Sequence, residues 1–213
     1  MKIKSFIGGF DKNFSYLVWC DKTKIAAIID PAVDPAPIQE YIESKDLILS
    51  KILITHTHND HIAFLNDFLY LFPNLLIYCY NKPINISNKY IGLIDGEIIT
   101  IGESLVTAIY SPGHFGDSMC FWNKKNKCLF TGDTMFVGRT GRVVSHTSSI
   151  EKLYDSIYNK ILTLEENTLI YPGHHYGYIP FISIKKSIDL FDFFQCKNLS
   201  EFKKVMENFE KNR

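Results

Sequence analysis

The chain has no surplus of either charge: 23 lysines and arginines stand against 23 aspartates and glutamates. Tracking a phosphate backbone needs clustered positive charge, so nucleic acid is not an expected partner. The short basic run Lys124-Lys125-Asn126-Lys127 reads as a polar hairpin turn between two strands. The Lys/Glu-rich stretch from Glu201 to Arg213 reads as the solvated face of a helix. No segment offers the ~20 mostly apolar residues of a membrane span, because the richest, 62–80, is interrupted by Asn66, Asp67, Pro73 and Asn74. Nor does Met1 to Phe10 hold an apolar core of signal-peptide length. Cysteine is sparse, with five residues and no Cys-x-x-Cys spacing. Cys20, Cys79, Cys120 and Cys128 lie in apolar runs and Cys196 near a helix junction, the pattern of reduced thiols in a cytoplasmic protein. Repeats, low-complexity tracts and linkers are missing as well. A length of 213 residues, 46% of them hydrophobic, suits a single domain spanning 1–213.

Against this even background one stretch stands out, Thr55-His56-Thr57-His58-Asn59-Asp60-His61. It follows the apolar run Lys51-Ile52-Leu53-Ile54, which reads as a buried strand. The histidines therefore sit on a strand-end loop, where α/β folds place their chemistry. Any one of them would pass as a solvated turn residue. Three imidazoles and a carboxylate within six positions read instead as a metal site. In an extended loop His56, His58 and Asp60 project to one side, and His61 opens the next helix.

Three later segments repeat the arrangement of a strand-like run, a small or turn residue, then one His or Asp. They are Ser111-Pro112-Gly113-His114, Phe130-Thr131-Gly132-Asp133-Thr134 and Ile170-Tyr171-Pro172-Gly173-His174. Each alone is ordinary turn chemistry. Together with the first loop they place five of the seven histidines in four strand-end loops.

These four motifs, in this order, resemble those of the metallo-β-lactamase superfamily, and more narrowly its short glyoxalase II-like branch. The resemblance rests on His-x-His-x-Asp-His at 56–61, Pro-Gly-His at 112–114, Thr-Gly-Asp-Thr-Met-Phe at 131–136 and Pro-Gly-His-His-Tyr-Gly at 172–177. The tail, with Ile184-Lys185-Lys186, Leu199-Ser200-Glu201-Phe202 and Val205-Met206, is similar to the closing helices of that branch. The resemblance implies an α/β fold, the four-layer αββα sandwich of two mixed β-sheets flanked by helices. It also implies two divalent metal ions, zinc first, with iron or manganese as alternatives. His56, His58 and His114 would hold one ion, Asp60, His61 and His174 the other, and Asp133 would bridge them. Imidazole and carboxylate donors suit this division, and no cysteine is present in the motifs to close a structural zinc site.

The implied activity is hydrolysis of a thioester such as an S-acylglutathione by a metal-generated hydroxide, with Asp60 and Asp133 as ligands that orient it. No Ser-His-Asp or Cys-His arrangement points to a covalent intermediate. A thiolate leaves readily, its free acid having a pKa of about 8.5. Arg142 stands in the element that carries an Arg or Lys in the branch and is expected to meet a glutathione carboxylate. Tyr176, after the last ligand histidine, is expected to line the substrate pocket. The sequence departs from the pattern at Val143-Val144, where relatives carry an aromatic, and at Asp117, where they carry Gly. Only 39 residues follow His174, so the helical glutathione-binding domain of classical glyoxalase II is not expected. The partner is thus a small glutathione-linked thioester, with no membrane or nucleic acid. Two alternatives stand beside this one. One is a persulfide dioxygenase using a single iron on His56, His114 and Asp133; the other is a non-catalytic metal-binding module.

Periodicity and turn signals predict strands near 2–7, 14–20, 25–30, 50–55, 75–80, 98–101, 104–110, 118–123, 127–131 and 168–171. Helices are predicted at 35–45, 60–71, 149–162, 181–192 and 199–211.

Overall fold

Strand β2 (Asn13–Trp19) is buried along its whole length, which a strand achieves only when both faces of its sheet are covered. Phe14, Tyr16 and Val18 enter one apolar cluster, whereas Leu17 and Trp19, on the other face, enter a second. A computed structural model, describing residues 1–212, shows how the two faces are covered. One sheet runs β1 (Lys2–Gly8), β2, β3 (Ile25–Ile29), β4 (Ile48–Leu53), β5 (Leu76–Tyr80), β6 (Ile91–Leu93), in that order. Its first three strands pair antiparallel and the remainder parallel. The other contains β7 (Ile98–Ile101), β8 (Ser104–Tyr110), β9 (Met119–Asn123), β10 (Cys128–Gly132), β11 (Leu169–Pro172) and β12 (Ile182–Ser183), ordered from β12 back to β7. There β10 and β11 alone are parallel neighbours.

The inner faces meet in a core that includes Phe14, Tyr16, Leu53, Val106, Phe121 and Phe130. Helices α1 (Pro35–Ser44) and α2 (Leu65–Leu71) cover the outer face of the first sheet through Ile38, Ile42, Leu65 and Phe68. Helices α3 (Ile150–Asp155), α4 (Ile184–Leu190) and α5 (Leu199–Lys211) cover the second through Leu153, Ile184, Phe202 and Met206. This is the expected four-layer α/β sandwich of two mixed sheets.

Several boundaries differ from the sequence reading. The helix predicted from 60 begins only at Leu65. Residues 60–64 are turns, with His61 N donating to the His58 carbonyl at 3.0 Å and Phe64 N to that of Pro31 at 2.9 Å. His61 therefore does not open a helix; its ring is drawn toward the sheet end instead. The predicted helix 149–162 is α3 followed by a wider π turn at Ser156–Ile161. The predicted helix 181–192 starts as strand β12, because Ile182 and Ser183 pair with Ile170 and Leu169. Ser183 then caps α4, its hydroxyl accepting from Lys186 N at 3.2 Å. Strands β6 and β12 are too short to show a periodic signal.

Candidate metal centre

The four motif loops leave the C-terminal ends of β4, β8, β10 and β11 at one rim of the sandwich, and their donor atoms converge there. His56 Nε2 lies 2.9 Å from His58 Nδ1, which lies 3.1 Å from His114 Nε2. His61 Nε2 lies 3.2 Å from His174 Nε2, and Asp60 Oδ2 is 3.7 and 3.3 Å from those two nitrogens. Asp133 stands between the groups, with Oδ1 3.1 Å from His61 Nε2 and Oδ2 3.5 Å from His114 Nε2 and 3.3 Å from His174 Nε2. Donors around a tetrahedral ion at 2.0–2.1 Å stand about 3.3 Å apart, so these separations are those of ligand polyhedra. The sets His56, His58, His114 and Asp60, His61, His174 are each close enough to hold one ion, as is His56, His61, Asp133.

Outer contacts decide which ring nitrogens face inward. Nδ1 of His61 meets the Asp30 carboxylate at 2.8 Å, Nδ1 of His114 the Arg142 carbonyl at 2.8 Å, and Nδ1 of His174 the Asp11 carbonyl at 2.8 Å. Those oxygens only accept, so each Nδ1 carries a proton and Nε2 is the nitrogen that faces the cleft, with its lone pair free in the neutral ring. Lone pairs facing one another across about 3 Å are unfavourable until a proton or a metal ion lies between them. Asp133 Oδ1 is buried without a hydrogen bond of good geometry. Donor set, spacing and orientation all fit divalent metal ions.

The two groups differ electrostatically. Burial pushes His56 and His114 below the ordinary imidazole value, and takes His58 down to about 4, helped by the neighbouring His114. Burial acts the same way on His61 and His174, but there the Asp133 carboxylate, with Asp30 adding to it at His61, outweighs it and raises both. Asp133 is held well below the carboxylate range because His61 and His174 outweigh its desolvation.

Packing around the ligands is close. At Gly173 a Cβ would run into Asp133 Oδ1 and His61 Cε1, and at Gly132 into the Thr55 hydroxyl, where the backbone also turns through φ +48°. The supporting role of three side chains escaped the sequence reading. Asp30, just past β3, accepts from Thr55 N at 2.7 Å and Thr55 Oγ1 at 2.6 Å besides meeting His61. Asn13 is fully buried and donates through Nδ2 to Asp60 Oδ2 at 2.7 Å. Asp117 is also buried, accepting from the Thr57 hydroxyl, from Thr57 N at 3.2 Å and from Ile84 N at 2.9 Å. It thereby ties the histidine loop to the segment after β5. Asp30 repeats the strand-then-acid pattern that marked the other loops; Asn13 gave no such signal.

The two residues expected at the substrate end line the same cleft, a cavity of about 210 Å³ that also touches Arg139. Arg142 pairs with Glu210 of α5 through Nε at 2.9 Å and Nη2 at 3.0 Å. Tyr176 donates its hydroxyl to Asp11 Oδ2 at 2.6 Å, and its ring lies 4.1 Å beneath the Arg139 guanidinium.

Comparison with known proteins shows the family. Residues 8–174 match the family model of the metallo-beta-lactamase superfamily. The chain belongs to that superfamily. It is 35% identical over 178 residues to a hydroxyacylglutathione hydrolase of Francisella philomiragia, covering 83% of this chain and 68% of that protein. It is 37% identical over 174 residues to the probable hydroxyacylglutathione hydrolase glo2 of Schizosaccharomyces pombe, covering 79% and 66%. The chain thus spans about two thirds of the length of these relatives. Among solved structures, ETHE1 from Myxococcus xanthus superposes with a TM-score of 0.87 at 26% identity, covering 98% of this chain and 91% of that one. Fold, donor clusters and relatives together make the chain a metal-dependent hydrolase of the superfamily.

Proposed function

We propose that the chain is a thioester hydrolase of the glyoxalase II type, acting on a glutathione-linked acyl thioester with two divalent metal ions, zinc in the first place. His56, His58 and His114 hold one ion, Asp60, His61 and His174 the other, and Asp133 is shared. Iron or manganese suits the same nitrogen and oxygen donors. The observation that carries this reading is the convergence of seven donors from four loops on one cleft, with the Nε2 atoms of His61, His114 and His174 turned inward by outer contacts. The names of the curated relatives support the substrate class.

When bound, such ions polarise a carbonyl oxygen and lower the pKa of water toward neutrality. The chain's own residues do the rest. Asp60 and Asp133 fix the ligand geometry and supply negative charge against the cations. Phe136 and Tyr176 wall the cleft beside His174, their rings 6.0 and 4.8 Å from its imidazole. A cavity of about 210 Å³ accommodates the acyl-thioester end, so the tripeptide lies across the rim. There Tyr176 offers a ring face. Arg142, with two of its five donors on Glu210, retains others for a carboxylate.

The test is anaerobic assay of S-lactoylglutathione with metal-loaded protein. Release of glutathione and lactate without oxygen is expected. Oxygen uptake on glutathione persulfide, with no thiol released from the thioester, would replace this reading by the single-iron alternative.

A further inference from the structure

The hairpin between β1 and β2 lies far in sequence from every motif, yet it touches the second ligand group at two points. Its tip crosses to the opposite sheet. Phe14 N donates to the Gly173 carbonyl at 2.8 Å, His175 N donates to that of Lys12 at 3.0 Å, and Asn13 forms an isolated antiparallel bridge with His174. From that docked tip a continuous chain of hydrogen bonds runs through the cleft wall. Tyr176 donates to the Asp11 carboxylate, and the Asp11 carbonyl receives His174 Nδ1. Asp11 N donates to Asn13 Oδ1 at 3.1 Å, and Asn13 Nδ2 donates to Asp60 Oδ2 at 2.7 Å.

Resting on the two-metal reading, we infer that Asn13 is a positioning residue for the second metal ion. It holds Asp60 in its ligating orientation and couples that carboxylate, through Asp11, to His174 and Tyr176. The need for such a hold is visible in the exposure of the ligands. The Asp60 side chain is 30% exposed, against 0% for His61 and 3% for His174. Packing fixes the two imidazoles, but a half-open carboxylate on a turn keeps rotational freedom unless a hydrogen bond removes it. Asn13 has no such freedom, being buried at the start of a fully buried strand. Its amide supplies a donor to the carboxylate without adding charge to a site already holding two carboxylates. The first group has no contact with this hairpin in the network described: His58 and His56 depend on the loop that Asp117 ties down, and His114 on the Arg142 carbonyl.

Outer partners of metal ligands are typically worth about 10–100-fold in metal affinity. Metal-free wild type and Asn13→Leu, a near-isosteric change that removes the donor, are titrated with Co²⁺ while the absorption bands are followed, and Zn²⁺ content is measured after gel filtration. In Asn13→Leu the first equivalent should bind as in wild type and the second about 10–100-fold more weakly. Equal binding of both equivalents in variant and wild type would overturn the inference, as would equal weakening of both. Should Asn13→Leu fail to fold, Tyr176→Phe decides. This change removes one hydrogen bond at the outer end of the chain and should weaken the second equivalent about 2–10-fold; an unchanged second equivalent would overturn the inference. Wild type saturating at a single equivalent would instead refute the two-metal reading on which it rests.

Discussion

The two halves of the candidate metal centre share one loop yet are held by opposite means. His56 and His58 belong with His114 in a group of neutral imidazoles whose protonation is suppressed chiefly by burial. Asp60 and His61, only a few residues on, belong with His174 in a group permeated by carboxylates, where Asp133, joined by Asp30 at His61, outweighs burial and raises the imidazoles instead. The first half is thus poised with open lone pairs, whereas the second is a charged hydrogen-bonded network whose protons a metal must displace. Asp30 holds both ends of this short loop, at Thr55 and His61, and Asp117 holds its middle, at Thr57.

The largest expected effect falls on the residue both halves share. Asp133→Ala should lower turnover on the order of 10³-fold or more while leaving the fold largely intact, since both groups lose their common carboxylate and the strand ends remain packed. Near-normal activity with full metal content would remove Asp133 from the role of bridge. Next come substitutions that separate the halves. His114→Ala and His174→Ala should each lose about one equivalent of metal, from the first and second group respectively, by elemental analysis of the purified variants. If either change emptied both groups alike, the centre would be one cooperative unit rather than two halves.

How far the sequence disclosed this comparison depends on the kind of residue. The candidate donors were legible because three histidines and an aspartate in six positions have no common structural use, and because His114, Asp133 and His174 each follow a strand-like run and a glycine. Their supports were not. Asp30, Asn13 and Asp117 are single polar residues whose function depends on which strands lie side by side, and in sequence they lie 31, 47 and 60 positions from the residues they hold. Asp117 was noticeable only as a departure from the family's glycine. The two-sheet sandwich was legible through motif order, and strands such as β2 and β10 through their apolar composition. The helix predicted from 60 failed at its start because tertiary contacts of His61 and Phe64 overrode a helical pattern. Strands β6 and β12 were lost because three and two residues cannot display a period.

Acid should also distinguish the halves in metal-free protein. His58, with a folded value of about 4 against an ordinary 6.5, stabilises the fold fully above 6.5, and that contribution is lost as pH falls toward 4. His56 and His114 act in the same direction. The raised His61 and His174 act oppositely: their contribution is complete below 6.5 and is lost as pH rises through their folded values. Thermal unfolding of metal-free protein between pH 4 and 7 should therefore show a destabilising acid limb that becomes shallower in His58→Asn. An unchanged limb would place the acid sensitivity elsewhere.

The smallest effect belongs to the rim. Arg142→Ala should raise KM for a glutathione thioester by about 5–20-fold with less change in kcat, since a remote carboxylate contact serves ground and transition states alike. Part of that loss will come from releasing Glu210 of α5. With a small acyl thioester lacking the tripeptide carboxylates only the part due to α5 should remain, which separates the bracing of α5 from substrate contact.

The division into two halves is tested most directly by anomalous diffraction at the metal edge from crystals of zinc-loaded protein. Two peaks about 3.5–4 Å apart are expected. One should lie within about 2.0–2.2 Å of His56 Nε2, His58 Nδ1 and His114 Nε2, the other within the same range of Asp60, His61 and His174, with an Asp133 oxygen on each. A single peak at full occupancy, bound only by His56, His114 and Asp133, would contradict it.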